Sequence, residues 1–467
     1  MTSFSPALLA ELQAIVGADH VIHQGESLEQ LSKDFYWYSP ILKAQLDDKR
    51  ADAVVRPGSL AELKAVVVAC SRVRVPVVPR GGGTGNYGQC IPLYGGVVLD
   101  ITRLDRILEI TADGVIRAEP GVRLIRVETE VRKLGWEMRL LPSTFVKSTF
   151  AGFLCGGFGG IGSVTWGTIV TPGNVKSLTL LTCDENPRIV RLEEAECDLA
   201  LHTYGTTGLV VEIEMRLAPR LNYDQLILSC PDWDKLIVWT DACARRPEWR
   251  KRLVTALEAP IPSFFKPMQK RFRPGEHVVF LLVDRDQCAE IIASAAAAGV
   301  DCVYHTPLAD PLTPPFITDY TWNHATLWAM KVEPSFTNIQ ITFGPNFQEQ
   351  SRLLQQRFPG EIIHHHEWMA ARARKVGSSA SHYAGEDIVV GAVPLIYYKS
   401  RERLQEISDY CREIGVVVDD PHTFVLEDGG RIPNLDRKRT LRAQVDPAGL
   451  LNPGKMRTAA VNPFAAA

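Results

Sequence analysis

Val77-Val78-Pro79-Arg80-Gly81-Gly82-Gly83-Thr84-Gly85-Asn86-Tyr87-Gly88 is the stretch that decides the fold. A short apolar run leads into a glycine-dense loop, and the missing Cβ atoms let successive backbone N–H groups converge on one anion. Gly83, Gly85 and Gly88 spell G-x-G-x-x-G, a dinucleotide turn only where a helix comes next. The chain continues instead with Gln89-Cys90-Ile91-Pro92-Leu93-Tyr94-Gly95-Gly96 and the strand-like Val97-Val98-Leu99-Asp100-Ile101. No helix starts comfortably there, so the strand–turn–helix geometry of a doubly wound nucleotide fold is excluded. The loop reads as a backbone cradle for a diphosphate.

Outward from it, a helix-like segment at 60–71 alternates with β-branched runs at 75–78, 96–101, 114–118, 176–182 and 209–217. A second glycine-dense, turn-rich block occupies 149–163, beginning Thr149-Phe150-Ala151-Gly152 and ending Gly160-Ile161-Gly162-Ser163. Two such loops in one α+β unit point to a ligand held at length by backbone contacts. From about 221 to 418, longer helix candidates at 233–245, 289–298 and 348–357 interleave with strands at 278–283 and 337–343, as in a separate substrate or cap domain. The tail, 419–467, is turn-rich near Pro421 and again from Glu427 through Gly430, then helix-like.

The chain has 467 residues, 46% of them apolar, enough for a large core and two or three domains. A net charge of −3 without a basic block argues against nucleic acid and for small-molecule chemistry. Met1-Thr2-Ser3-Phe4-Ser5-Pro6 carries no cationic head before an apolar core, and no run approaches the roughly 20 residues needed to span a bilayer. The expectation is a soluble cytoplasmic protein. Ten cysteines without one C-x-x-C pair read as core residues rather than as a zinc site, an iron–sulfur site or disulfides.

Arg80-Gly81-Gly82-Gly83-Thr84-Gly85, the Pro142-Ser143 pair, the block 149–160, Gly205-Thr206-Thr207-Gly208-Leu209-Val210 and the terminal Asn452-Pro453-Gly454-Lys455 occur in a telling order. Together they resemble the vanillyl-alcohol-oxidase/p-cresol-methylhydroxylase superfamily of FAD-binding oxidoreductases, and within it the glycolate oxidase subunit and D-lactate dehydrogenase branch. The resemblance implies an α+β fold: a two-lobed FAD-binding domain made from residues 1–220 and the tail, with an inserted α+β cap domain at 221–418. It implies that Arg80, Gly81, Gly82, Gly83 and Thr84 contact the pyrophosphate, with Pro79, Gly85 and Gly88 in the same loop. Pro142, Ser143, Thr149, Gly152, Gly156, Gly157, Gly159, Gly160, Gly162 and Ser163 would line the flavin and its ribityl chain. Gly205, Gly208 and Val210 would sit near the adenine, and Asn452 and Lys455 near the isoalloxazine.

The chain departs from the branch in two places. The branch carries Gly-Ser-Glu-Gly-Thr-Leu-Gly where this chain has His202-Thr203-Tyr204-Gly205-Thr206-Thr207-Gly208, which leaves the roles of His202 and Tyr204 open. Thr84 stands where relatives with attached flavin often have histidine, so the FAD is expected to be non-covalent. Cys155, in the second glycine block, reads as a packed cysteine against the alternative of a thiol link.

Flavin chemistry needs a base beside the substrate carbon, and histidine suits neutral pH. His422, just before the returning tail, is the leading candidate, with a turn-capping role as the alternative; Glu427 would orient it or act itself, unless it is an exposed turn carboxylate. In Tyr320-Thr321-Trp322-Asn323-His324-Ala325-Thr326-Leu327-Trp328-Ala329-Met330-Lys331, His324 and Lys331 would clamp an aromatic or carboxylate substrate. Ordinary core for Trp328 and a surface position for Lys331 are the alternatives there. In a strand, His364 and His366 share a face and with Glu367 could bind a divalent metal; a pocket wall or a partly exposed strand are the other readings.

These residues fit an FAD-dependent oxidoreductase that takes a hydride from a small alcohol or 2-hydroxy acid. The alternatives are oxidation of a phenolic or aryl alcohol, and a flavin-binding subunit that needs a partner protein. The electron acceptor would be oxygen, a soluble carrier or another protein, and a homo-oligomer is compatible with the sequence.

Overall fold

The computed structural model describes residues 4–371, 388–430 and 432–457; Met1, Thr2 and Ser3 at the N-terminus and the end of the 419–467 segment lie outside them. The glycine loop leaves the edge of a four-stranded sheet. Strands Ala53–Val55, Val97–Asp100 and Val77–Arg80 run parallel, and Val21–Ile22 pairs antiparallel with the first. Parallel strands need a crossover, and helix Leu60–Arg72 supplies the one from Ala53–Val55 to Val77–Arg80, with Val97–Asp100 inserted between them. Ser59 caps it by accepting from the Glu62 N–H at 3.1 Å, and Leu63, Val66, Val67 and Cys70 bury one face at helical spacing.

A six-stranded antiparallel sheet comes next, centred on the long strand Leu209–Pro219. Between Pro219 and Tyr223 the chain passes into an eight-stranded antiparallel sheet. Strand His277–Asp284 shows why that sheet is so apolar. Val279, Leu281 and Val283 pack in one core with helices Trp233–Arg245, Cys288–Ala297, Phe347–Arg357 and Arg401–Glu413. Val278, Phe280 and Leu282 alternate to the other face and join the core shared with the N-terminal sheets. Both faces are buried, so the strand reads as a continuous apolar run. Buried Arg252 clamps the two halves, donating to Glu128 Oε1 at 2.8 Å and Met138 O at 2.7 Å.

The tail returns to the first sheet. Val77 N–H donates to Leu450 O and Asn452 N–H to Val77 O, both at 2.9 Å, which adds a short parallel bridge to the strand that carries the loop.

Two local expectations change. The block at 149–163 is not all turn: Phe150–Gly156 is a helix, because Thr149 Oγ1 caps it at the Gly152 N–H, 3.2 Å away. The strand expected at 337–343 is two, Phe336–Asn338 in a three-stranded sheet and Gln340–Thr342 in the eight-stranded one. The chain changes sheets at Ile339, where the Asn338 carbonyl turns to accept a hydrogen bond from His422. All ten cysteines are free, and no described helix is long and apolar enough to cross a membrane.

Candidate functional site

A cleft runs between the glycine loop and the eight-stranded sheet, called the cap sheet below, enclosing about 1900 Å³ with the open solvent at its mouth included. Its floor is residues 79–85, faced by Pro142, Ser143, Thr149 and Gly152 and continued by Gly156, Gly157 and Gly159; Gly205, Gly208 and Val210 close one end.

The glycines are there for close approach. A Cβ on Gly82 would fall less than 3.0 Å from the Lys147 carbonyl oxygen, and one on Gly81 equally close to the Thr149 hydroxyl. Positive φ is needed at Gly83 (+62°) rather than at Gly82. Among the described residues, no hydrogen bond is donated by the backbone amides of 82–85. Adjacent unspent N–H groups on a half-buried loop form a ready anion site.

Beneath the loop, Arg80 donates to Lys33 O at 2.6 Å and to Cys90 Sγ at 3.2 Å. Burial pushes the Asp34 carboxyl above and the Lys455 ammonium below their usual ranges, and each charge opposes the other's shift. Asp34, Phe35 and Tyr38 line the cleft without having stood out in the sequence, although the aromatic run Phe35-Tyr36-Trp37-Tyr38 was a legible signal.

Several expected contacts act from behind the wall. Asn452 Nδ2 donates to Gln89 O and Tyr204 O at 2.7 and 2.8 Å, and Lys455 Nζ to Gly88 O at 2.5 Å; neither side chain lines the cleft. Gly88 packs on Leu46, and a Cβ on Gly160 or Gly162 would strike the carbonyls of Leu141 or Arg139. Ser163 Oγ accepts from the Gly160 N–H at 2.9 Å. These four shape the backbone that the lining residues need and do not themselves face the cleft.

The chemistry-bearing candidates separate cleanly. His324 lines the cleft on helix Asn323–Met330. Burial, and then the Lys331 charge, lower its pKa to about 4, with the Asp319 backbone opposing the shift. His422 does not reach the cleft: Nδ1 lies 2.7 Å from Ser39 Oγ and Nε2 2.8 Å from Asn338 O. Glu427 is likewise committed elsewhere, accepting from Arg439 at 3.0 Å and from the Arg457 N–H at 2.9 Å. Lys331 is exposed, its ammonium 4.1 Å from the Trp328 ring centroid, so it is no counter-ion inside the cleft.

Cys155 lines the cleft with its thiol pushed up to about 12 by burial, far from a thiolate. His202 places Nδ1 2.6 Å from Gly157 O, and both His202 and Tyr204 have positive φ beside the glycine turn. At the cap end the cleft is also lined by Tyr87, Gln340, Thr342 and Met369, none of them marked by sequence, and by Glu367, which the sequence offers only as a metal ligand. They come from segments far apart in the chain: Tyr87 from the loop, the others from strands Gln340–Thr342 and His365–Ala370.

His364 and His366 do not present a metal pair. His364 Nε2 is 3.0 Å from Ser351 Oγ, and His366 is fully buried in a box of Trp233, Phe343, Phe347 and Trp368 with neither ring nitrogen partnered. Among the described residues the one group with metal-like spacing is Asp224, Cys288 and His305, whose carboxylate already pairs with Arg285 at 2.8 Å.

Burial, then the neighbouring His364 and His365, push the His366 pKa well below the ordinary histidine value. An unpaired buried N–H costs about 1–3 kcal/mol. His366→Phe is therefore expected to raise the thermal midpoint by a few degrees. Below about pH 6.5 the unfolded histidine gains a proton that the folded one refuses, so this site loses stability as pH falls, and phenylalanine removes that loss. Melts at pH 8 and pH 5 should show the larger gain at pH 5; a smaller gain there contradicts the account.

Residues 51–191 match the FAD binding domain family. The chain is 29% identical over 186 residues to the glycolate oxidase subunit GlcD of Escherichia coli, covering 38% of this chain and 37% of that protein. It is 26% identical over 241 residues to the D-2-hydroxyglutarate dehydrogenase of Stutzerimonas stutzeri, half of each chain. The matched region thus spans between about a third and a half of these curated relatives. A solved alkyldihydroxyacetonephosphate synthase shares the fold with a TM-score of 0.70 at 14% identity, covering 97% of this chain and 85% of that one.

Proposed function

We propose that this chain, which belongs to the vanillyl-alcohol-oxidase/p-cresol-methylhydroxylase superfamily of FAD-binding proteins, is an FAD-dependent oxidoreductase acting on the CH–OH group of a small 2-hydroxy acid or alcohol. The observation that carries the reading is the cradle: consecutive amides at 82–85 with no partner among the described residues, on a floor whose glycines have no room for a Cβ, opposite a wall that holds one neutral histidine.

The residues fit FAD in three stretches. The amides of 82–85 would take the diphosphate, Ser143, Thr149 and the 156–159 wall would hold the ribityl chain and ring, and Gly205, Gly208 and Val210 would meet the adenine; all of these residues line the cleft. When bound, FAD supplies the hydride acceptor. His324 takes the hydroxyl proton of the substrate, since with its pKa lowered to about 4 the imidazole is unprotonated at pH 7. The cap strands that carry Gln340 and Glu367 exclude water from that end. Lys331 lies outside the cleft, which removes the support for a phenolate-stabilising cation there. GlcD is named as a subunit, and a partner protein as electron acceptor is the second reading this favours.

Purified protein should be yellow and should release its flavin on acid precipitation, since Thr84 offers no link and Cys155 no thiolate. Flavin that stays with the pellet contradicts non-covalent binding. Anaerobic mixing with glycolate, D-lactate, D-2-hydroxyglutarate and a 4-hydroxybenzylic alcohol should bleach the flavin with a hydroxy acid. Bleaching by the benzylic alcohol alone overturns the substrate class, and oxygen uptake separates an oxidase from an enzyme that needs a partner.

A further inference from the structure

We infer that Trp322 is a specificity-determining residue whose indole N–H donates a hydrogen bond to an oxygen of the ligand at the cap end of the cleft, with Glu367 as its positioning residue. The inference rests on FAD occupying the cradle.

Four observations converge on this side chain. Trp322 has φ +51°, a conformation costing about 1–3 kcal/mol for such a residue and kept only where its surroundings over-determine it. Glu367 does so: its Oε1 accepts the Trp322 backbone N–H at 2.8 Å. That carboxylate is 2% exposed and is itself fixed by His365 Nε2 at 2.8 Å and Thr255 Oγ1 at 2.5 Å, on a strand paired on both sides. The indole packs against Gly159, where a Cβ would lie less than 3.0 Å from Cη2, so the cap reaches the glycine wall through this ring. Finally, Nε1 is buried without a partner, although Trp322 lines the cleft.

An indole N–H can only donate, and leaving it unmet in the interior is costly. An acceptor oxygen at that position satisfies it. The oxygen comes from one of two sources, a ring carbonyl of the flavin or a hydroxyl or carboxylate oxygen of the substrate. The strain and the anchor then have a purpose: they hold the donor still before the ligand arrives.

Trp322→Phe removes the N–H and leaves an aromatic ring at the position. Apoprotein would be titrated with FAD, the visible spectrum of the bound flavin recorded, and the holoprotein titrated with oxalate by difference spectrum. A flavin source raises the Kd for FAD roughly five- to tenfold and shifts the flavin bands; a substrate source leaves both and raises the Kd for oxalate by that factor. Unchanged FAD affinity and spectrum, with oxalate binding also unchanged or absent, overturns the inference. Glu367→Gln should weaken the same equilibrium in the wild-type background and add nothing in Trp322→Phe; additive losses remove Glu367 from the positioning role. Wild-type protein that takes up no FAD overturns the cofactor reading itself, a result distinct from any behaviour of the variants.

Discussion

Gly82→Val is expected to purify colourless, with FAD affinity lowered by roughly 10- to 100-fold, the equivalent of about 1.4–2.7 kcal/mol. The added Cβ would lie less than 3.0 Å from the Lys147 carbonyl oxygen and within 3.3 Å of Ser148 Cα, both backbone. Neither can swing aside as a side chain would. The turn that carries them is tied down, because Ser148 O accepts from the Leu124 N–H at 3.0 Å and Ser148 Oγ bonds Thr144 at 2.6 Å and Thr84 at 2.9 Å. Forcing a branched side chain between two such segments costs about 1–3 kcal/mol, spent on moving the amides that hold the diphosphate. Lys147→Ala leaves that carbonyl in place and should keep its flavin. Isothermal titration of both apoproteins with FAD decides the point: wild-type affinity in Gly82→Val would mean that the diphosphate lies elsewhere.

His324→Ala is expected to keep FAD and lower the rate of flavin reduction by roughly 100-fold, the scale for loss of a general base. In the wild type the rate should fall as pH drops through about 4, where the imidazole takes its own proton, and stay level above. His422→Ala should behave in the opposite way. It forfeits the contacts to Ser39 and Asn338, a loss of about 1–3 kcal/mol in folding stability, with little change in reduction rate per bound flavin. Stopped-flow reduction of both variants, normalised to bound FAD, separates them. A large rate defect in His422→Ala alone would return the base to the tail.

The cradle was legible because it is contiguous: Arg80-Gly81-Gly82-Gly83-Thr84-Gly85 announces close backbone approach within one short window. The α+β class came from alternating periodicities of similar range. The wall facing the cradle was not legible, since it is assembled by sheet register. Glu367 meets Thr255 and Gly391 across two strand pairs, and Gln340 arrives on another strand of the same sheet. Nothing in a local window marks such neighbours. The surroundings of His422 were hidden for a related reason. A histidine between a proline and a returning tail looks like a base, but sequence alone does not show that Ser39 lies 2.7 Å from its ring.

The bridge between Val77 and Leu451 also has a meaning for biosynthesis. The strand that launches the loop is translated long before its backbone partners at Leu450 and Asn452 and the lysine that holds the Gly88 carbonyl. A nascent chain therefore displays the glycine loop on an unfinished edge until those residues have been made. Loading of the cofactor awaits them, and a ribosome-stalled fragment ending before Leu450 should remain an apoprotein however much flavin surrounds it.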